Sequence, residues 1–348
     1  MKVASMHGFT MVELALSLAF IGTLSVIIVV IISNTVSSYQ RGMTLNKVNT
    51  TGMDLVDDFR LAVQNSSSDA VTSLCVDYYP SADNASNTEA RNKCIQDGAD
   101  SFVRATRKAT VKLPGATRNE VIERDDVPVY GVFCTGSYSY MWNSGYFVDD
   151  EESNARLSGY AKREVLGVRP VALKYSVNEN GSIVSKEVKD FRLLKVKDDT
   201  RAVCVAVMRS VIDAQEGNGR GGALYYGSEE VANRNGTIPE VVDISQESGY
   251  SYSLMDATEQ PVEVLASEAD NDLVLYDFYA ARPAISSADK HMFYSATFIL
   301  GTVRGGIDIT ATGRNCTPPE EYEKEDFNYC AINKFNFAVT ASGEVTRR

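Results

Sequence analysis

Residues 9–32 read FTMVELALSLAFIGTLSVIIVVII, and the reading of this stretch governs the rest of the chain. It runs for 24 residues with one charged side chain, Glu13. As a helix it would be about 36 Å long, enough for a hydrocarbon core ~30 Å thick. Ahead of it stands MKVASMHG, residues 1–8, too short and too polar to hold the apolar region of a secretory signal. The pattern predicts a membrane helix that begins at Phe9, rather than a core helix.

No strong helix breaker follows Ile32. Leu45, Val48, Gly52, Leu55, Phe59 and Ala62 recur at spacings of three and four, which places them on one helix face. Lys47, Asp54, Asp57 and Arg60 fall mostly off that stripe. The run Asn65-Ser66-Ser67-Ser68-Asp69 consists of poor helix formers and ends the pattern. One helix from Phe9 to Gln64 would extend about 84 Å, apolar all round in residues 9–32 and amphipathic in residues 33–65. A membrane helix followed by a coiled-coil stalk is the rival reading. Gly22, Gly42 and Gly52 each cost a helix roughly 1 kcal/mol relative to alanine, and serve either bending or close packing.

Glu13 is the anomaly in the apolar run. A carboxylate in a membrane helix is costly unless it is paired or lies near the interface. It stands four residues after Phe9. A cut before Phe9 would create an α-amino group there, and with it a cation for the carboxylate.

The segment Gly8-Phe9-Thr10-Met11-Val12-Glu13-Leu14 resembles the prepilin peptidase recognition segment of type IV pilins and type II secretion pseudopilins. The resemblance implies cleavage after Gly8 by a membrane peptidase, which then methylates the new amine of Phe9. It implies that Glu13 serves assembly by neutralising the amine of an adjacent subunit. Ile21-Gly22 also falls where the family often has such a step. The motif covers about residues 1–33, and a looser likeness to the helices of large minor pilins extends to about Val63. Many major pilins carry a proline near the end of the apolar run; this segment has none, so no proline kink is expected. The missing proline and the length of 348 residues lean toward a minor pilin or a large pseudopilin.

The remaining residues, 66–348, read as a β-rich body. Val127–Cys134, Arg169–Val177, Ile183–Val188, Phe191–Lys197, Ala202–Val211, Leu273–Ala280, Met292–Val303 and Asn328–Thr340 are rich in β-branched and aromatic residues. Asn180-Gly181 between two such runs is a hairpin signal. Ala90–Asp97 reads as a short helix. Ser81–Thr88, Asp149–Asn154 and Gln215–Gly222 read as loops, and the acidic loop at 149–154 marks a possible internal boundary. The expected fold is α+β and pilin-like: a spine helix packed on an antiparallel sheet, with an additional β-rich part.

The net charge is −12, and removal of the leader takes Lys2 with it. Phosphate recognition needs a positive footprint, so no nucleic-acid partner is expected. Six cysteines, Cys75, Cys94, Cys134, Cys204, Cys316 and Cys330, contain no C-x-x-C pair. In an exported chain an even number points to disulfides, against the alternative of buried thiols. Fifteen connectivities are open. Proximity favours Cys316 with Cys330, a loop worth about 3 kcal/mol in the chain-entropy model.

Other motifs carry less. Gly217-Asn218-Gly219-Arg220-Gly221-Gly222 matches G-x-G-x-x-G without the strand before it or the helix after it, and reads as a turn. His291 is the sole histidine outside the leader, which leaves no multi-histidine metal site in one mature chain. Asp270-Asn271-Asp272 and Asp149-Asp150-Glu151-Glu152 lack EF-hand spacing and read as solvated loops. Tyr138, Tyr140, Trp142, Tyr146 and Phe147 suit either an adhesive surface or the two faces of a sheet. No catalytic constellation and no cofactor are expected.

These readings converge on a structural subunit of a type IV pilus or related filament. The implied partners are a prepilin peptidase, other pilin subunits and the bacterial cytoplasmic membrane, which the chain would cross once before its body enters an extracellular filament. A pseudopilin and a pilus-mounted adhesin are the alternatives.

Overall fold

A computed structural model describes residues 10–66, 102–112, 121–145, 170–198, 203–207, 210, 241–246, 255–256, 260–265, 273–281, 292–302, 306–307, 316–317 and 331–341. Helix α1, Met11–Gln64, is a single run of 54 residues. At 1.5 Å per residue it extends about 81 Å. It starts at Thr10, whose side chain accepts from the Glu13 amide while the Glu13 side chain accepts from the Thr10 amide, a capping box that satisfies donors at both positions. It ends at Asn65, whose N–H donates to the Leu61 carbonyl at 3.1 Å, and the next N–H, of Ser66, donates to the Val63 carbonyl at 3.0 Å. The absence of an internal proline leaves the hydrogen-bond ladder unbroken.

The two halves of α1 differ as the sequence pattern demands. Every large apolar side chain from Met11 to Ile32 is 46–92% exposed. From Thr44 onward one face is buried: Val48, Leu55, Val56, Phe59, Ala62 and Val63. Val56 and Val63 widen the stripe beyond the expected positions, whereas Leu45 remains exposed.

The strands are β1 (Phe102–Lys112), β2 (Val121–Cys134), β3 (Tyr138–Asn143), β4 (Ala172–Glu179), β5 (Ser182–Val188), β6 (Leu193–Lys197), β7 (Val241–Asp243), β8 (Met255–Asp256), β9 (Val262–Glu263), β10 (Leu273–Ala281), β11 (Met292–Thr302), β12 (Gly306–Ile307), β13 (Cys316–Thr317) and β14 (Ile332–Ala341). They form a sheet ordered β1-β2-β3-β6-β9, a sheet ordered β10-β11-β14, a β12–β13 pair, and a sheet ordered β5-β4-β7 in which β8 also pairs with β4. The fold is α+β. Most pairings are antiparallel, including those of the sheet that packs on α1, whereas β4 pairs with β7 and β8 in parallel. The β4–β5 hairpin turns at Asn180 and Gly181, with φ of 54° and 84°. Two consecutive positive φ values are what the Asn-Gly signal supplies at a two-residue turn.

Strand β14 lies along α1 and alternates by design: Phe335, Phe337, Val339 and Ala341 are buried, and Asn336, Ala338 and Thr340 are exposed. Phe59 fills the junction between helix and sheets. Its ring meets Phe133 and Tyr140 of the five-stranded sheet and Phe278, Phe298 and Phe337 of the three-stranded sheet, at centroid distances of 4.8–5.9 Å. Four of the five contacts are edge-to-face, the geometry the ring quadrupole favours.

The five-stranded and three-stranded sheets are joined where β3 ends. Gly145 N donates to Leu275 O at 2.7 Å and Ser144 Oγ to Tyr276 O at 3.1 Å. A Cβ on Gly145 would stand 2.3 Å from Val274 Cγ2, so the approach requires glycine. Arg104 and Asp277 add an ion pair at 2.6 Å between β1 and β10. Asn143 is fully buried and acts as a short piece of strand: its Nδ2 donates to Val171 O and Phe191 O, and its Oδ1 accepts from Val171 N. Each bond satisfies a buried backbone group that is costly to leave unpaired.

The segment Ala202–Val211 departs from the sequence expectation. Residues 203–207 are helical, not extended. Val203, Cys204, Val205, Ala206 and Val207 are all buried, so no periodicity distinguishes strand from helix there. Asp198 decides the outcome by receiving Val203 N at 3.2 Å and Cys204 N at 3.0 Å, the donors that the first turn of a helix leaves open.

Candidate functional site

The sequence places the chemistry at the start of α1. Gly8 and Phe9 lie outside the described residues. Glu13 sits in the first turn of the helix, exposed, with Oε2 accepting from both Thr10 N and Thr10 Oγ1 at 2.9 Å. Further along the apolar half, Ser17 Oγ turns back to Leu14 O and Thr23 Oγ1 to Phe20 O, both at 2.9 Å. These hydroxyls are satisfied within the helix, which lowers the cost of placing them in an apolar medium. Helix α1 is long and apolar enough to cross a membrane.

The glycines separate cleanly. Nothing lies within 4 Å of a Cβ built on Gly22 or Gly42. A Cβ on Gly52 would stand 2.1 Å from the Phe335 ring. Gly52 therefore serves close packing of α1 on β14, and that pairing of roles was left open by spacing alone.

Beside Phe59, a polar clamp fixes the rotation of α1 against the body. Asp58 Oδ1 accepts from Lys195 Nζ at 2.6 Å, and Asp58 Oδ2 accepts from Tyr140 Oη at 3.0 Å. Lys195 Nζ also lies 4.7 Å from the Tyr138 ring centroid and 5.5 Å from that of Tyr140. Burial and then the Asp58 charge push the Tyr140 hydroxyl well above the usual tyrosine range, so it remains a donor. The pair is partly exposed, and its worth is directional more than energetic.

Of the aromatic cluster singled out in the sequence, Tyr140 and Trp142 are fully buried, which removes them from any adhesive surface, and Tyr138 is half-buried against the same core. Tyr146 and Phe147 lie outside the described residues. So do His291, Gly217–Gly222, Asp270–Asp272, Asp149–Asn154, Ala90–Asp97 and Ser81–Thr88.

The disulfide expectation is met by a pair that proximity did not favour. Cys134 and Cys204 are bonded across 70 residues, with Cα atoms 6.1 Å apart. The bond ties the end of β2 to the helical turn that Asp198 starts, and Ser139 Oγ donates to the same carboxylate at 2.6 Å. Cys316 begins β13, whereas Cys330 lies outside the described residues.

Glu263 closes the far edge of the five-stranded sheet. Its Oε1 accepts from Leu193 N at 2.8 Å and its Oε2 from Arg192 N at 3.0 Å. Burial raises the carboxyl above its ordinary value, outweighing the backbone donors of Leu193, Arg192 and Leu265. A raised folded value means that the native state holds the proton more tightly than the unfolded chain does. The resulting stability is fully present below the unfolded value of about 4.3 and is lost as pH rises through the raised folded value. Glu263→Gln should remove that declining component from a plot of unfolding free energy against pH, and an unchanged slope would contradict the assignment.

The Thr10–Glu13 capping box is written in the sequence as T-x-x-E before an apolar run, overlapping the four-residue spacing from Phe9 to Glu13. Asp58, Lys195 and the Cys134–Cys204 bond join residues 70 or more positions apart, and local pattern carries no such information. No family model, curated protein or solved structure matches the chain.

Proposed function

We propose that the chain is a structural subunit of a type IV pilus or related filament, matured by cleavage after Gly8 and methylation of the Phe9 amine. The observation that carries the reading is the division of α1 within one unbroken helix: residues up to Ile32 expose apolar side chains on every side, and residues from Thr44 bury one face on sheets. An exposed apolar surface of that length must be covered by lipid or by other subunits. A filament subunit meets both environments in turn. The prepilin-like segment at residues 8–14 supplies the route between them, and a body of this size with no proline in the helix fits a minor pilin.

The proposed path is a single pass through the bacterial cytoplasmic membrane, with the body on the outer side, followed by incorporation into an extracellular filament. The Cys134–Cys204 bond supports an oxidising compartment for the body. The proposed partners are a prepilin peptidase and adjacent pilin subunits. A type II secretion pseudopilin would share the helix chemistry.

An epitope on the body, followed through shearing of surface fibres from the cells of origin, tests the destination. The expected result is label on the fibres. Label confined to the membrane fraction in fibre-bearing cells would overturn the filament reading.

A further inference from the structure

Glu13 has a partner on its own chain before any neighbour arrives. Thr10 N and Thr10 Oγ1 both donate to Oε2 at 2.9 Å, and Glu13 N returns a bond to Thr10 Oγ1 at 3.3 Å. No hydrogen bond reaches Oε1 from the described residues. A carboxylate has acceptor capacity for about four donors, so a held Oε2 leaves Oε1 able to receive an ammonium group.

We propose that Thr10 is a positioning residue for Glu13: its hydroxyl and amide hold one carboxylate oxygen in place, and the other is kept for the amine of an adjacent subunit. This rests on the reading of Glu13 as the assembly residue. A glutamate side chain left loose would have to be ordered at the moment of pairing. A carboxylate with no donor would also be costly in apolar surroundings. The Thr10 contacts meet both costs ahead of assembly, and the ammonium then adds to the existing bonds without displacing them.

Helix capping alone makes a different forecast. Aspartate caps a helix at least as well as threonine. It can accept from Glu13 N, but it has no proton for the Glu13 carboxylate and brings a like charge beside it. Thr10→Ser keeps both the cap and the donor, Thr10→Val removes both, and Thr10→Asp keeps the cap alone. The readout is the ratio of filament to membrane-pool subunit for the full chain in its own assembly system. It is counted only over chains cut before Phe9, which separates assembly from cleavage.

Thr10→Ser should assemble close to wild type, whereas Thr10→Val and Thr10→Asp should fall by at least about tenfold, the factor expected on losing a hydrogen bond to a charged group. Normal incorporation of Thr10→Asp would overturn the proposal, because capping would then suffice. So would failure of Thr10→Ser. Glu13→Ala serves as the reference. If it is excluded while Thr10→Val assembles normally, the role of Thr10 fails alone. If Glu13→Ala itself assembles normally, the assembly reading fails and takes this proposal with it.

Discussion

Glu13→Ala should yield a chain that is cut, inserted and folded but missing from filaments. The substitution removes the only charged side chain between Phe9 and Ile32. In the membrane, that change makes the helix more apolar, and its cost is confined to the lost half of the capping box at Thr10. In the proposed filament, it would leave the neighbour's methylated amine without a counter-charge in apolar surroundings. Breaking one side of a buried ion pair costs about 3–5 kcal/mol, or a factor of hundreds to thousands in occupancy. Glu13 is exposed and its carboxylate bonds only to Thr10 among the described residues, so the transition of the body in urea should not shift. The measurement is the filament-to-membrane ratio beside the urea midpoint of the same variant. Filament levels equal to wild type would contradict the pairing of amine and carboxylate.

Phe59→Ala should lower the stability of the body by about 3–5 kcal/mol, the usual cost of deleting a buried aromatic ring. The ring is 0% exposed and is the place where α1, the five-stranded sheet and the three-stranded sheet meet. Removal leaves a void lined by rings from both sheets, and those rings belong to strands that are hydrogen-bonded to their neighbours and collapse poorly. The effect should appear as a fall in the denaturation midpoint of the detergent-solubilised chain, together with faster proteolysis where α1 meets the body. Leu61→Ala is the control. Leu61 is two residues away on the same helix but 58% exposed, and its loss should stay within about 0.5 kcal/mol. Similar shifts from the two variants would mean that Phe59 is not the junction described above.

The helix was legible because two different patterns lie end to end in it. An uncharged apolar run and a three-four stripe both depend on local spacing, and α1 follows them to within two residues at its start. The Asn180-Gly181 turn was legible for the same reason, since its positive φ values are a property of those two residues. Of the fourteen strands among the described residues, β2, β4, β5, β6, β10, β11 and β14 lie where β-branched and aromatic residues concentrate, whereas β1, β3 and the short β7, β8, β9, β12 and β13 were not anticipated. β1 was missed: FVRATRKATVK carries four cationic side chains and resembles a loop until β2 pairs with it. The segment at residues 203–207 was misread because Val203–Val207 is wholly buried, and a uniform apolar run fits either structure.

What spacing could not reach is the closure of the body. Asn143 bridges three backbone groups and Cys134 finds Cys204 through residues far apart in sequence, and Asp198 selects a helical turn by a side-chain contact that apolar spacing does not register. The candidate site divides in the same way. Glu13 announces itself as a lone charge, whereas its contact with Thr10 is written in a motif of four residues that has an ordinary capping use as well. Gly52 could be read as a hinge or as a packing position until the Phe335 ring was found against it.

The most direct measurement is the N-terminal residue of the chain recovered from sheared surface filaments, by mass spectrometry of its first peptide. The filament reading predicts a chain that begins at Phe9, carries one methyl group on its amine and lacks residues 1–8. A filament-associated chain beginning at Met1 or Lys2 would contradict it.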